Sequence, residues 1–152
     1  MGRLAGTGVM AVVLVLALSG LLGPRKATAS SVGGGYGLSL TYGSVVRSGE
    51  PVPMTLNITH AGGFAGPVTV AFDRDVFGRF DFQNWYPNPD QETGDEGSVV
   101  YQFSPPAGDT LTVVLDARVA PLQIGGRFSY WVAVVTAGRR VATVDYSVWV
   151  MP

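Results

Sequence analysis

From Leu38 to the end, apolar and polar residues alternate with a period of two, and Gly, Pro and Asp interrupt the alternation every few positions. No window carries the 3.6-residue repeat of an amphipathic helix, so the pattern predicts strands and turns throughout. The clearest run is VPMTLNITH. Val52, Met54, Leu56 and Ile58 point one way in it, and Thr55, Asn57 and Thr59 the other. PVTVAFD repeats the alternation with Val68, Val70 and Phe72 after a Gly62-Gly63 turn. GLSLTYG, RFDF, SVVYQFS, TLTVVLDA, RFSYWVAVV and VATVDYSVWV complete the set.

The last two runs set a register. Ala142, Val144, Tyr146, Val148 and Val150 share one face, with Thr143, Asp145 and Ser147 on the other. Read as a five-residue loop, TAGRR brings Phe128, Tyr130, Val132 and Val134 beside the apolar set; a loop of two or four residues brings Ser129, Trp131, Ala133 and Val135 there instead. The first pairing buries more aromatic area, at roughly 25 cal/mol per Å², and sends Trp131 to the outer face. Seven or eight short strands of this kind predict an all-β fold, an immunoglobulin-like antiparallel β-sandwich.

Two pieces carry a resemblance. GEPVPMTLNITHAGGFAGPVTVAF and LQIGGRFSYWVAVVTAGRRVATVDYSVWV resemble the bacterial extracellular immunoglobulin-like and fibronectin type III-like domains of cell-surface proteins. The first is similar to their second and third strands, the second to their final hairpin, with Leu122 six residues before Phe128. Phe128 stands where such domains often place a tyrosine, and their buried cysteine pair is absent. The resemblance implies a binding, spacing or structural module with no catalytic residues to carry over.

The first thirty residues break the pattern. Residues 8–23 are uncharged and largely apolar, behind a short start whose single charge is Arg3. They predict a hydrophobic helix that reaches roughly 24 Å at about 1.5 Å per residue, short of a hydrocarbon layer of ~30 Å. Pro24 ends it, and Ala27-Thr28-Ala29 is a small-x-small sequence of the kind signal peptidase cuts, between Ala29 and Ser30. Uncleaved, the same run anchors the chain in the membrane, with Arg25 and Lys26 reaching out to the interface. Both outcomes put the remainder outside the cytoplasm, secreted or on the outer face of the cytoplasmic membrane. Residues 1–29 thus read as signal peptide or anchor, 30–36 (SSVGGGY) as a flexible tether, and 37–152 as one domain.

Composition narrows the chemistry. The chain has no cysteine, so neither a disulfide framework nor a thiol-linked lipid anchor is available. Setting aside Arg3, Arg25 and Lys26 from the ten basic residues leaves seven against eleven acidic ones, a balance that argues against nucleic acid as a partner. His60 is the only histidine, and no G-x-S-x-G elbow occurs, so a nucleophilic triad and a usual zinc site have no residues to draw on.

What remains is FQNWYPNPDQETGDEG and its surroundings. Asp73, Asp75, Asp81, Asp90, Glu92, Asp95 and Glu96 crowd into one stretch of the chain. Trp85 and Tyr86 precede Pro87, which holds Tyr86 extended. Exposed aromatics on a stiffened loop make contact anchors, so Trp85, Tyr86, Asp90, Glu92, Asp95 and Glu96 are the expected binding residues. The carboxylates offer hard oxygen ligands, and calcium held by them or by Asp73 and Asp75 is an alternative to a chain without a cofactor. Asn57-Ile58-Thr59 is a sequon inside a strand, and Arg139-Arg140 a charged hairpin tip that could meet an acidic partner or headgroups. The expectation is a non-enzymatic module for a protein partner or a polymer of the cell envelope. The alternative is a carbohydrate-recognising or carbohydrate-active domain using Trp85, Tyr86 and the carboxylates beside them.

Overall fold

A computed structural model of the chain describes residue 10, residues 12–15 and residues 25–151. Ten strands make up nearly all of it: β1 (Arg25–Gly33), β2 (Tyr36–Arg47), β3 (Met54–His60), β4 (Val68–Asp73), β5 (Phe80–Tyr86), β6 (Gln91–Gly94), β7 (Ser98–Phe103), β8 (Thr110–Val119), β9 (Gly126–Thr136) and β10 (Arg139–Met151). A 3-10 turn, Arg74–Gly78, links β4 to β5. The eight expected strands correspond to β2–β5 and β7–β10, and the all-β class holds; β1 and β6 are additional. Residue 10 and residues 12–15 have helical backbone, and the rest of the expected N-terminal helix lies outside the described residues. Among the described residues no helix is long and apolar enough to cross a membrane.

Hydrogen bonds run through a single sheet rather than two separate ones, in the order β5-β8-β3-β2-β10-β9-β4-β7-β6, with β1 also on β2. β2 is the hinge. Its residues 36–41 pair antiparallel with β3, and Val45–Arg47 pair parallel with β10. One strand therefore belongs to both limbs, which correct the expected two-sheet count by a shared member. The limbs nevertheless face each other. Trp85 of β5 lies 4.2 Å from Tyr101 of β7 and 5.5 Å from Phe72 of β4, ring centre to ring centre. Phe80 of β5 meets Tyr130 of β9 at 6.2 Å. Among the described residues β5 pairs with β8 alone, so these contacts arise because the sheet curls until its ends close over one core.

Residues 30–36, expected as a tether, are the end of β1, a Gly34-Gly35 turn and the first residue of β2. Ladder pairing from Arg25↔Val45 to Gly33↔Tyr36 explains why a Ser/Gly-rich segment is extended: its backbone groups are satisfied by β2, and only Ala27 and Ala29 lean on the core. The proposed cleavage bond lies inside this strand, with Ala29 opposite Leu40 and Ser30 opposite Ser39.

The β9–β10 register agrees with expectation by a different route. Val134, Val132, Tyr130 and Phe128 stand opposite Ala142, Val144, Tyr146 and Val148. The turn, however, has two residues, Ala137 (φ 49°) and Gly138 (φ 73°), not five. Such a turn alone would deliver the other face; an irregularity between Arg140 and Ala142 adds one residue and restores the aromatic pairing. The hydrophobic pattern chose the register, and a bulge reconciled the turn with it.

Among the described residues the core leaves two hydroxyls without partners, those of Tyr130 and Tyr146. Burial pushes the Tyr130 phenol up to about 12 and the Tyr146 phenol further still above its ordinary range. Since the folded values are raised, the stability tied to the neutral phenols is complete below the unfolded value of 10.0 and is lost as pH rises through the folded values. Tyr146→Phe removes a buried group that bonds to nothing, so it is expected to raise stability by about 1–2 kcal/mol and to flatten the alkaline loss. Urea melts of both chains at neutral pH and above pH ~10 check this; an equal or lower midpoint for the variant contradicts it.

Candidate functional site: a groove on the outer face of β9 and β10

The residues first expected to bind are not brought together. Trp85 and Tyr86 end β5 rather than sitting on a loop, and alternation sends them to opposite faces. Trp85 packs between Phe72, Phe82, Tyr101 and Phe103, while Tyr86 is 79% exposed. The carboxylates serve local structure. Asp90 accepts from the Ser104 hydroxyl at 2.7 Å. Asp95 accepts from the Gly97 and Ser98 N–H groups at 2.9 and 2.6 Å and from the Ser98 hydroxyl at 3.1 Å. These bonds, the one from Gly97 foremost, hold its carboxyl below the ordinary 3.8. The Arg74 guanidinium closes the same loop by donating to the Asp95 carbonyl. Glu92 is exposed on β6 opposite Tyr101, and Glu96 is exposed at the turn. Burial, then the Glu92 carboxylate, raises the Tyr101 phenol to about 12. Asp73 caps the 3-10 turn by accepting from the Asp75 N–H at 3.0 Å. Among the described residues no three His, Cys, Asp or Glu gather as metal ligands, so the expected calcium ligands do not converge.

His60 and Asn57 are occupied as well. The His60 ring bonds the Gly63 carbonyl through Nδ1 at 2.8 Å and lies 4.5 Å from the Tyr36 ring. Asn57 Oδ1 accepts from the Thr112 hydroxyl at 2.7 Å across the β3–β8 ladder.

A groove of about 920 Å³ opens elsewhere, on the outer face of β9 and β10. Alternation aligns Arg127, Ser129 and Trp131 on β9 with Trp149, Ser147 and Asp145 on β10, each directly opposite its partner. The two serine hydroxyls bond each other at 2.9 Å and form the floor. Tyr42, Ser44 and Val45 of β2 line the groove as well, as do Asp73 of β4 and the core residues Tyr130 and Tyr146. Trp149 is 55% exposed. Trp131 is half-buried beneath the Arg140 guanidinium, 3.3 Å from its ring centre, which accounts for one of the two expected hairpin-tip charges. Trp149 lies four residues beyond the partner of Trp131 on β10, so the indoles stand about 13 Å apart along the strands at ~3.3 Å per residue.

Chemically the groove offers an indole at each end, Trp149 open to solvent beside Arg127 and Trp131 beside Asp145 with Arg140 over its ring, and the Ser129 and Ser147 hydroxyls between them. That suits an elongated ligand with apolar ring faces and many hydroxyls or amides. Sequence reasoning assigned Trp131 to the outer face but gave it no role, and it left Trp149 out. The signal was present, since Trp149 continues the alternation of Asp145 and Ser147. One further feature borders the groove. β4 pairs with β9 only from Val132 to Val135, so the Gly126–Trp131 part of β9 has no strand on that side among the described residues.

No protein-family model matches the chain, and no curated protein matches it. Among solved structures, the alkylpurine DNA glycosylase AlkC of Pseudomonas fluorescens, bound to DNA containing an abasic site analog, is similar over 72% of this chain with a TM-score of 0.39 and 14% identity. The chain spans 28% of the length of that protein. That neighbour is an enzyme, so the expectation of a non-enzymatic chain is withdrawn; a likeness of this size carries no argument for an activity either.

Proposed function

We propose that the chain is an exported immunoglobulin-like module, held at the outer face of the cytoplasmic membrane by residues 8–23, that binds a saccharide polymer of the cell envelope in the β9–β10 groove. The observation that carries the binding assignment is the pair of indoles flanking the Ser129–Ser147 floor. Sugar rings stack their C–H faces on indoles while their hydroxyls bond the polar groups between, and a spacing of about 13 Å fits a chain rather than a single ring. The immunoglobulin-like assignment is supported by the two facing limbs and by β2, which leaves an antiparallel partner for a parallel one. The export assignment rests on the apolar run 8–23 and the residues that follow it.

A second reading has its own observation. The unpaired Gly126–Trp131 edge of β9 could accept an extended segment of a protein partner as an added strand.

Calorimetric titration of the protein with soluble envelope polysaccharide fragments separates the two. Trp149→Ala is expected to weaken polysaccharide binding at least about tenfold, equivalent to ~1.4 kcal/mol, with an unchanged melting temperature because the side chain is largely exposed. Absence of binding to every fragment, or equal binding by the variant, sinks the saccharide assignment.

A further inference from the structure

One end of the molecule gathers features that the groove does not use. Arg25 pairs with Val45, Val45 with Trp149, and Trp149 with Arg127, so the start of β1, the end of β10 and the start of β9 lie together. The β2–β3 connection joins them. Its Gly49 N–H donates to the Val119 carbonyl at 3.0 Å, and the Val119 N–H donates to the Glu50 carbonyl at 3.1 Å. Arg25 and Lys26 line a shallow depression with this same connection, from Glu50 to Pro53. Val119 leads into residues 120–125, tied down by the Ala120 N–H on the Arg79 carbonyl at 2.8 Å and by the Arg79 guanidinium on Gln123 Oε1 at 3.1 Å.

On that held loop, two large apolar side chains face water. Leu122 is 96% exposed and Ile124 84% exposed. Around them Arg25, Lys26, Arg47 and Arg118 are all exposed, four cations beside the acids Glu50, Asp81 and Asp116. A chain with an acidic overall balance thus presents a basic, apolar-tipped end. The direction of that end is constrained by chain length. Only Pro24 separates the apolar run 8–23 from Arg25, and one residue spans at most about 3.6 Å. If the run lies in a bilayer, the first residue of β1 lies at the headgroups, and the end of the domain that holds it cannot stand away from the surface.

We propose that this end rests on the anionic outer surface of the membrane, with Leu122 and Ile124 entering the interface and Arg25, Lys26, Arg47 and Arg118 over the lipid phosphates. The inference depends on residues 8–23 anchoring the chain, as in the proposed function. Apolar tips contribute insertion, and the cations contribute attraction that salt screens. The turn between β9 and β10 that carries Arg139 and Arg140 lies at the far end of the molecule.

The absence of native cysteine makes the test direct. The full chain carrying Leu122→Cys, Ile124→Cys or Gly138→Cys, each labelled with a polarity-sensitive fluorophore, is reconstituted into vesicles of phosphatidylglycerol and phosphatidylcholine. Labels at 122 and 124 are expected to shift to the blue and to be quenched by nitroxide lipids, with the label at 138 unchanged. The shift is expected to shrink in vesicles of phosphatidylcholine alone. If the chain floats with the vesicles but the labels at 122 and 124 meet a soluble quencher as readily as that at 138, this orientation is overturned and the anchor stands. If the chain does not float with the vesicles, both are overturned.

Discussion

Trp85→Ala is expected to lower the free energy of unfolding by about 2–3 kcal/mol, toward the low end for a large aromatic because the ring is half-buried against the core. Tyr86→Ala, one residue on, is expected to change it by less than about 0.5 kcal/mol. The contrast follows from which limb each side chain serves. Trp85 is carried by β5, which among the described residues pairs with β8 alone, yet its ring touches Phe72 on β4 and Tyr101 and Phe103 on β7. No backbone hydrogen bond joins those strands to β5, so side chains alone hold the curled sheet shut at this point. Deleting the indole removes contacts from both limbs and leaves a void that neither backbone can fill without breaking its own ladder. Tyr86 contributes nothing comparable, being largely in water. Chemical denaturation with far-ultraviolet circular dichroism measures both variants. Near-wild-type stability for Trp85→Ala, together with lost ligand binding, would return Trp85 to the role of a contact residue.

The same pair explains how far the sequence could be read. Strand identity was legible because a buried face imposes a period of two, and that period is visible from Met54 to Ile58 and from Ala142 to Val150 without knowing what lies opposite. The inward turn of Trp85 was not legible. Its neighbours Asn84 and Tyr86 and the two prolines after it read as a loop, while the reason it points inward is an irregularity between Phe82 and Asn84 in the pairing with β8. A bulge shifts which face a residue takes, and nothing local announces it. β1 escaped notice for a related cause. A strand whose middle, residues 27–31, is Ala, Thr and Ser carries almost no hydrophobic alternation, because its stability lies in backbone pairing with β2 and not in burial. The groove divides along the same line. The outward face of Trp131 and the alignment of Trp149 with Arg127 both follow from the register that the hydrophobic pattern chose, whereas the bulge at Val141 that reconciles the two-residue turn with it is not revealed by the turn sequence.

Gly33→Ala is the substitution expected to act on β1 most strongly. The methyl group would overlap the backbone carbonyl of Val141 and sit 3.0 Å from its carbon. Backbone of this kind cannot yield easily, since Val141 lies in the bulge that sets the register of β10 on β9. β1 is the weaker party, with one ladder, on β2, and little apolar burial. The strain is therefore expected to peel the end of β1 from β10 and leave the β9–β10 hairpin intact. The loss of stability is bounded by the free energy of that local opening, about 2–3 kcal/mol, rather than by the cost of the overlap itself. Hydrogen exchange followed residue by residue distinguishes the outcomes. Amides of residues 29–33 are expected to lose protection while those of Val144, Tyr146 and Val148 keep it; an unchanged pattern means that the β1 backbone does not lie against β10.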